Sequence, residues 1–260
     1  MTYCLAIRVQ EGLVCLADGR ITSGSQVSAA RKATLHGAAG DSGEAQFMVM
    51  TSGLRSLRDK TLAYLDREIQ RSHGDGFPNL LDAVGTYARC LRQTAEEDRS
   101  ALESSHLKFN LHAIIAGQQP DDARPSAFLV YPEGNWIEVN ERTPYLSIGA
   151  VAYGKPILDR VLRDDTPMAL ALKAAYLSFD STRVSSADVG FPMDLMTLST
   201  GDPTWRSIHF AHDELREQRE WWNRHLTELT AQLPDYPWRD ALLPREAGGQ
   251  RFSLVGKPEE

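Results

Sequence analysis

Short and nearly continuous apolar runs open the chain, with the pattern of buried β-strands. Residues 3–9 (Tyr-Cys-Leu-Ala-Ile-Arg-Val) and 13–17 (Leu-Val-Cys-Leu-Ala) are separated only by Gln10-Glu11-Gly12. Runs of this length, bounded by turn residues, predict two strands that form a hairpin and are covered on both faces. Asp18-Gly19 then marks the turn that ends the second strand.

The rest of the pattern alternates between groups of strands and pairs of helices. Apolar positions at helical spacing predict helices over about 54–69, 84–95, 155–163, 167–179 and 213–232. Shorter apolar runs predict further strands at 33–36, 46–51, 109–117, 126–131, 135–139, 144–149, 193–199 and 207–211. The stretch 19–32, before the predicted strand at 33–36, is polar and rich in Gly and Ser.

This order of elements argues against a parallel, doubly wound sheet. Consecutive strands joined by short turns favour antiparallel pairing, and strands without a polar face need cover on both sides. Two antiparallel sheets packed together, each covered outside by a helix pair, satisfy both demands. The sequence therefore predicts an α+β fold: a four-layer αββα sandwich over residues 1–233, followed by a Pro- and Gly-containing C-terminal extension over 234–260.

Composition narrows the class of protein further. The 260 residues are 42% hydrophobic and 24% charged, which is ordinary for a globular chain, and no apolar run reaches the roughly 18 residues of a membrane span. A formal net charge of −7 disfavours a general nucleic-acid or anionic-membrane surface. Three cysteines are too few for a disulfide framework or a zinc site, and the N-terminus has no secretory pattern. We expect a cytoplasmic protein that binds neither nucleic acid nor membranes.

One glycine-rich segment resembles a phosphate-binding loop but lacks half of its chemistry. Gly149 to Lys155 fits G-x-x-x-x-G-K between a predicted strand and a predicted helix. The next residue is Pro156, where such a loop needs a hydroxyl for Mg²⁺, and proline also removes a backbone N–H. A glycine turn leading into a helix is the simpler interpretation. No nucleotide or other cofactor is predicted.

The histidines do not indicate a metal site or a serine-hydrolase triad. His209 and His212 are the one close pair among seven histidines, and residues three apart on a strand point to opposite faces. The G-x-S-x-G motif of an elbow serine hydrolase does not occur. Structural or surface roles are expected for these side chains, and no metal is predicted.

The second residue offers a different chemistry. Removal of Met1 would leave Thr2 with a hydroxyl and a free α-amine, and an α-amine has a pKa of about 8. Such an amine can accept the hydroxyl proton without a histidine. Antiparallel pairing returns Asp18 to the neighbourhood of Thr2, and Lys32 precedes another short strand. A lysine beside the nucleophile would lower its pKa, and an aspartate would keep that lysine charged. Taken singly, a turn residue at Asp18 and a solvated charge at Lys32 are the simpler interpretations.

Six segments spread over most of the chain indicate a family. They read T-Y-C-L-A-I-R at 2–8, G-L-V-C-L-A-D-G-R at 12–20, R-K at 31–32, S-I-G-A-V-A-Y-G-K-P-I-L-D-R at 147–160, F-D-S-T-R at 179–183 and V-G-F-P-M-D-L at 189–195. Together they resemble the bacterial proteasome-homologue family called Anbu (ancestral β-subunit), which belongs to the N-terminal-nucleophile hydrolases. The run Y-G-K-P-I-L-D-R is the most specific segment, and it accounts for the apparent phosphate loop.

The resemblance implies both an architecture and a set of roles. It implies the αββα sandwich, with 1–233 as a proteasome β-subunit-like domain, and an assembly of identical subunits in a ring or open ring. Thr2 would be the nucleophile, Lys32 the lysine beside it and Asp18 the carboxylate that orients that lysine. Arg20 falls on the arginine two positions after this aspartate. Gly53 matches the glycine whose backbone N–H forms the oxyanion hole, near a helix N-terminus that favours negative charge.

Two segments depart from the proteasome pattern. Proteasome β-subunits usually have a Ser-Gly pair near the segment that here reads Gly149-Ala150-Val151. They also carry an Asp-x-x-Ser-Gly-Gly stretch where this chain reads from Ser185 to Gly190, and relatives of the bacterial type tend to have serine in place of Asp188. The resemblance therefore implies supporting roles near the amine for Ser185, Ser186 and Asp188.

Three functions remain open at this level. The first is a proteasome-type threonine hydrolase that cleaves peptide bonds and needs no metal or nucleotide, any ATPase being a separate chain. The second is an N-terminal-nucleophile amidase or transferase acting on small amides. The third is a ring-forming binding or scaffold protein with a weak or silent site, an alternative prompted by Ala150 and Asp188.

Overall fold

A computed structural model describes residues 2–23, 26–37, 46–71 and 76–234. The chain divides into two compact units, the first ending at Leu215 and the second beginning at Arg216. The predicted C-terminal extension lies outside the described residues except for Pro234, so its boundary stays a prediction.

Most of the first unit consists of regular elements. Its strands are β1 (Tyr3–Val9), β2 (Gly12–Asp18), β3 (Arg20–Ser23), β4 (Gln26–Ala29), β5 (Ala33–His36), β6 (Phe47–Gly53), β7 (Leu111–Gly117), β8 (Ser126–Val130), β9 (Trp136–Glu138), β10 (Tyr145–Gly149), β11 (Met193–Ser199) and β12 (Asp202–Phe210). Its helices are α1 (Arg55–Arg71), α2 (Leu80–Ser104), α3 (Lys155–Val161) and α4 (Met168–Ser185), and a 3₁₀ turn (His212–Leu215) ends the unit.

Within the described residues, the strands of the first unit form two antiparallel sheets and a ribbon. The first sheet has the order β10-β1-β2-β11-β12, and the second has the order β5-β6-β7-β8-β9. Strands β3 and β4 pair only with each other, as a two-stranded ribbon. The first sheet is built around the β1–β2 hairpin, in which Cys4 pairs with Ala17 and Val9 with Gly12.

Three apolar clusters show how the layers stack. One cluster lies between the second sheet and helices α1 and α2, another between the two sheets, and the third between the first sheet and helices α3 and α4. Alternate residues of β1 therefore enter different cores, since Cys4 faces the other sheet whereas Tyr3 and Leu5 face the helices. This explains why β1 and β2 are apolar on both faces. The predicted α+β, four-layer αββα sandwich is confirmed.

The structure extends the predicted pattern in four places, one of which is helix α2, which runs from Leu80 to Ser104 instead of over the predicted 84–95. The polar stretch 19–32 contains the β3–β4 ribbon, which apolar periodicity does not signal because its strands are only four residues long and Thr22, Ser28 and Ala29 are exposed. Helix α4 continues from the predicted end near residue 179 to Ser185. Strand β12 begins at Asp202, five residues before the predicted start at 207. The amphipathic pattern thus located the helices and strand β12 but not their ends, and it did not locate the ribbon.

The second unit contains helix α5 (Arg216–Ala231), close to the predicted helix over 213–232. Its Trp221 ring stacks on the His225 imidazole, with 4.0 Å between the ring centroids. In the part of the chain that the structure describes, no helix combines the length and the apolar character that a membrane crossing requires.

Candidate active site

The start of strand β1 is fixed by the end of strand β10. Thr2 is buried, and its carbonyl oxygen accepts a hydrogen bond of 2.7 Å from the Ala150 N–H. Tyr3 pairs with Gly149, whose φ of 89° lies in the left-handed region. A Cβ at Gly149 would lie 1.8 Å from the Thr2 carbonyl oxygen. Glycine is therefore required at this position for β1 and β10 to approach each other.

Asp18, at the end of β2, is fully buried and accepts hydrogen bonds from three donors. Its Oδ1 accepts bonds of 2.8 Å from the Tyr3 N–H and 2.8 Å from Lys32 Nζ. Its Oδ2 accepts a longer bond of 3.4 Å from the Gly190 N–H. Because Tyr3 directly follows Thr2, one carboxylate both holds the lysine and fixes the backbone next to the threonine.

Lys32 reaches this carboxylate from the second sheet. It lies directly before β5, its side chain is buried, and its carbonyl oxygen accepts a bond of 3.2 Å from the Thr51 N–H. That bond places the end of β6 beside Lys32, and Gly53 is the last residue of β6. Gly53 has a φ of 143°, and a Cβ there would lie 1.9 Å from the Asn110 carbonyl oxygen. Lys32 and Gly53 therefore lie at the same end of the second sheet, on neighbouring segments of chain.

Burial dominates the electrostatics of this cluster. It raises the pKa of Asp18, while the Lys32 ammonium and the N–H groups of Tyr3 and Gly190 act in the opposite direction. Burial also raises the pKa of the Cys4 thiol, and the nearby Asp18 carboxylate raises it further. Cys4 is therefore a protonated core residue rather than a thiolate nucleophile.

Arg20 and the loop after α4 complete the surroundings of Asp18. A Cβ at Gly190 would lie 3.1 Å from Arg20 Cδ, so the Arg20 side chain packs over the glycine that donates to Asp18. On the other side of the turn, the Gly19 N–H donates to the Pro192 carbonyl oxygen at 2.6 Å. Arg20 is thus close to the Asp18–Lys32 pair, although it makes no hydrogen bond to it among the described residues.

The three predicted supporting residues differ in their positions. Ser185 is exposed at the last position of α4, whereas Ser186 is buried directly after it. The Ser186 hydroxyl has no hydrogen-bond partner in the described part of the chain. Asp188 is half-buried in the segment that leads to Gly190. Of the three, Ser186 combines burial with an unused hydroxyl, and the roles of all three stay predictions.

The glycine-rich segment 149–155, which resembles a phosphate-binding loop, packs against the start of β1. Its first glycine, Gly149, approaches the Thr2 backbone as described above. Its second, Gly154, lies against the side chain of Tyr3, since a Cβ there would be 2.5 Å from the Tyr3 hydroxyl. Lys155 Nζ donates to the Tyr145 hydroxyl at 2.8 Å and to Asp159 at 3.1 Å. Both glycines thus let the chain pack closely against the start of β1.

Tyr3 is the important residue that the sequence did not single out. Its N–H binds Asp18, and its hydroxyl donates to Ser178 Oγ of α4 at 3.0 Å. The tyrosine at the start of this strand was the available signal for the hydroxyl contact, because a buried tyrosine hydroxyl usually finds a partner. The glycines Gly149 and Gly190 act through backbone geometry, which leaves a weaker trace in a single sequence. Among the described residues, no three His, Cys, Asp or Glu side chains gather as a metal site.

The protein is an αββα sandwich in which a buried aspartate–lysine pair lies beside the start of the first strand. Together these features define the N-terminal-nucleophile hydrolase fold. Comparison with solved structures agrees: the chain is 30% identical to the Anbu complex of Pseudomonas aeruginosa, solved as a helical assembly, over 90% of this chain and 98% of that one, with a TM-score of 0.81. The chain belongs to the Anbu family.

Two further structures support this assignment. The chain is 29% identical to Anbu from Yersinia bercovieri over 89% of this chain and 98% of that one, with a TM-score of 0.78. It is also 29% identical to Anbu from Hyphomicrobium sp. strain MC1 over 90% and 99%, with a TM-score of 0.79. No protein-family model matches the chain, and no curated protein matches it either.

Proposed function

We propose that the protein is a proteasome-type threonine hydrolase that cleaves peptide bonds with Thr2 after removal of Met1. The observation that carries the proposal is the buried Asp18–Lys32 pair, whose carboxylate also accepts the N–H of Tyr3. A buried lysine and aspartate are costly to keep in a fold, and such perturbed pairs are typical of functional sites.

The chemistry follows from the groups that the N-terminus carries. The Thr2 hydroxyl oxygen attacks the peptide carbonyl carbon, and its proton passes to the α-amine of the same residue. The N–H of Gly53 stabilises the oxyanion, and the carbon–nitrogen bond breaks as the departing amine takes up the proton. Water then attacks the ester on Thr2 with the same amine as base, which releases the acid and restores the hydroxyl. No metal or cofactor takes part.

The ion pair supplies electrostatic support for these steps. A Lys32 ammonium next to the N-terminus stabilises the developing alkoxide and lowers the pKa of the α-amine, so that more of the amine is an unprotonated base. Asp18 holds this ammonium through a bond of 2.8 Å. Arg20, Ser186 and Asp188 support the surroundings of this ion pair, and Ser185 supports them from the end of α4.

We also propose that the chain assembles with copies of itself in a ring or an open ring. The support is the related complex from P. aeruginosa, which was solved as a helical assembly. Native mass spectrometry of the purified protein measures the number of subunits directly. A chain that stays monomeric at micromolar concentration would contradict this part of the proposal.

Covalent labelling tests the nucleophile. Protein purified from cells is treated with a β-lactone, which acylates N-terminal threonines, and the modified peptide is identified by mass spectrometry. We expect the label on Thr2, no label in Thr2→Ala and full labelling of Thr200→Ala, a control that removes an exposed hydroxyl on the β11–β12 turn. Intact mass is expected to show loss of Met1.

The outcomes separate the three functions. Uniform retention of Met1, or equal labelling of the wild type and Thr2→Ala, would refute the threonine mechanism. Labelling of Thr2 without cleavage of any member of a broad peptide library would favour an amidase or transferase acting on small amides. A processed N-terminus that remains unlabelled would favour a binding or scaffold protein.

A further inference from the structure

The two sheets leave a cavity at one open edge of the sandwich. Strand β5 is the edge strand of one sheet and β12 is the edge strand of the other. Between them lies a cavity of about 290 Å³, near the lower limit for small-molecule sites. Its lining includes Arg31, Met48, Asp194, Met196, Ser207 and His209. The cavity therefore combines an apolar interior with charges of both signs.

Asp194 supplies the negative charge. It lies on β11 opposite His209 of β12, and its Oδ1 is 2.7 Å from the His209 Nδ1. The side chain is only 11% exposed, and Oδ2 has no hydrogen-bond partner among the described residues. A carboxylate can accept several hydrogen bonds, so Asp194 retains capacity for a cationic donor in the cavity.

Arg31 supplies the positive charge from the opposite wall. It comes two residues before β5, is exposed and forms no ion pair among the described residues. Its guanidinium group has a planar set of donors that matches the two oxygens of a carboxylate. The cavity thus has a donor for a carboxylate on one wall and an acceptor for an ammonium on the other.

Apolar side chains form the interior between these charges. Met48 and Met196 are almost fully buried and belong to the cluster between the two sheets. Methionine side chains adapt to ligands of different shape because they are unbranched and flexible. An apolar ligand group would therefore find a compliant surface there.

We propose that this cavity binds a free apolar α-amino acid, with its carboxylate on Arg31, its ammonium on Asp194 and its side chain against Met48 and Met196. A cavity of about 290 Å³ suits a ligand of this size better than an extended peptide. The proposal is independent of the hydrolase mechanism, because none of these four residues carries a step of it.

Two residues that line the cavity are neighbours of the Asp18–Lys32 pair in sequence or strand register. Arg31 directly precedes Lys32, and Asp194 lies opposite Ala17, the residue before Asp18. Asp18, Lys32 and Asp194 also all influence the pKa of the same Cys4 thiol. An amino acid in the cavity therefore binds to residues that flank both members of the pair.

Isothermal titration calorimetry with L-leucine and two analogues tests the proposal. Leucinamide lacks the carboxylate, and 4-methylpentanoate lacks the amine. The titrations use the full chain carrying Thr2→Ala, so that no turnover at Thr2 contributes and failure of the hydrolase proposal leaves this result unaffected. We expect leucine to bind and each analogue to bind at least about tenfold more weakly, since one charged contact is lost in each case.

Two substitutions then assign the two ends of the ligand. Asp194→Asn is expected to weaken leucine and leucinamide at least about tenfold and to leave 4-methylpentanoate unchanged. Arg31→Gln is expected to weaken leucine and 4-methylpentanoate and to leave leucinamide unchanged. Asp202→Asn serves as the matched control on β12, because its carboxylate pairs with Arg206 outside the cavity.

Three results would overturn the proposal. The first is the absence of leucine binding at millimolar concentration in the Thr2→Ala chain. The second is equal affinity for leucine and both analogues, which requires no variant and therefore no assumption about folding. The third is equal loss of all three ligands in folded Asp194→Asn or Arg31→Gln protein, as judged by an unchanged circular dichroism spectrum.

Discussion

Replacement of Lys32 by methionine gives the sharpest test of the energetics of the candidate site. Methionine keeps much of the length of the side chain but removes the ammonium that donates to Asp18 Oδ1 at 2.8 Å. Asp18 then remains a fully buried carboxylate whose described donors are the N–H groups of Tyr3 and Gly190. Removing one partner of a buried pair costs about 3–5 kcal/mol, because the remaining charge is uncompensated.

The retained backbone donors place the expected loss for Lys32→Met near the lower end, about 3 kcal/mol. In urea this corresponds to a fall in the unfolding midpoint of about 1 M for a domain with an m-value near 3 kcal/mol/M. The loss depends on pH. Without the ammonium, the pKa of Asp18 in the folded state lies still further above its unfolded value. Ionisation then favours the unfolded chain, and stability falls as the pH rises from the unfolded pKa through the folded one.

Tryptophan fluorescence in urea at fixed protein concentration measures these changes. The double variant Lys32→Met with Asp18→Asn is expected to recover most of the loss, since it contains neither buried charge. Lys60→Met is the matched control: Lys60 contacts Glu97 and Asp98 at 2.7 and 2.6 Å, but these side chains are 30–39% exposed, so little change is expected. A double variant as unstable as the sum of its single variants would refute the coupling.

Three further predictions follow from burial and backbone geometry. Gly149→Ala places a Cβ 1.8 Å from the Thr2 carbonyl oxygen and is expected to lower the free energy of unfolding by at least about 2 kcal/mol. Gly201→Ala, also at positive φ but with open space around it, should lower it less. Equal losses in urea unfolding would contradict the close-packing argument. Burial lowers the pKa of His112, so the stability of the folded chain should fall as the pH drops below about 6.5. His112→Gln should reduce this loss of stability, as thermal melts at pH 7 and below can measure. An unchanged dependence of the melting temperature on pH would contradict the prediction. Burial raises the pKa of the Cys4 and Cys15 thiols, so iodoacetamide should alkylate them in urea and not in the native protein. Mass spectrometry of the alkylated peptides measures this. Alkylation of the native chain would contradict the prediction, because it would show that these thiols are accessible.

Much of the fold could be predicted because each layer leaves a local periodicity. The hairpin of β1 and β2 was recognisable from continuous apolar runs, and the helix pairs from 3.6-residue spacing. The β3–β4 ribbon was not, because its four-residue strands pair through the backbone, and backbone pairing has no hydrophobic signature. The predicted nearness of Asp18 to residue 2 followed from the hairpin alone, since antiparallel strands bring the end of one to the start of the other.

The contacts of the site were harder to predict from the sequence than the fold was. The N-terminal chemistry and the resemblance to Anbu both pointed to Thr2, Asp18 and Lys32, but neither indicated that Asp18 also accepts the N–H of Tyr3. Ser185 and Ser186 are adjacent in sequence, yet one is exposed and the other buried, because helix α4 ends between them. A prediction that ended this helix near residue 179 could not distinguish the two hydroxyls.

The sequence by itself determined the sandwich, the threonine behind Met1 and the family, because periodicity and motif spacing are properties of neighbouring residues. Only the tertiary structure decided which charges meet. Lys32 reaches Asp18 from the other sheet, Gly190 reaches it across 172 residues of chain, and Asp194 meets His209 through strand register. These contacts depend on burial and on the packing of distant strands, and the energy of a charge is set by such surroundings rather than by its place in the chain.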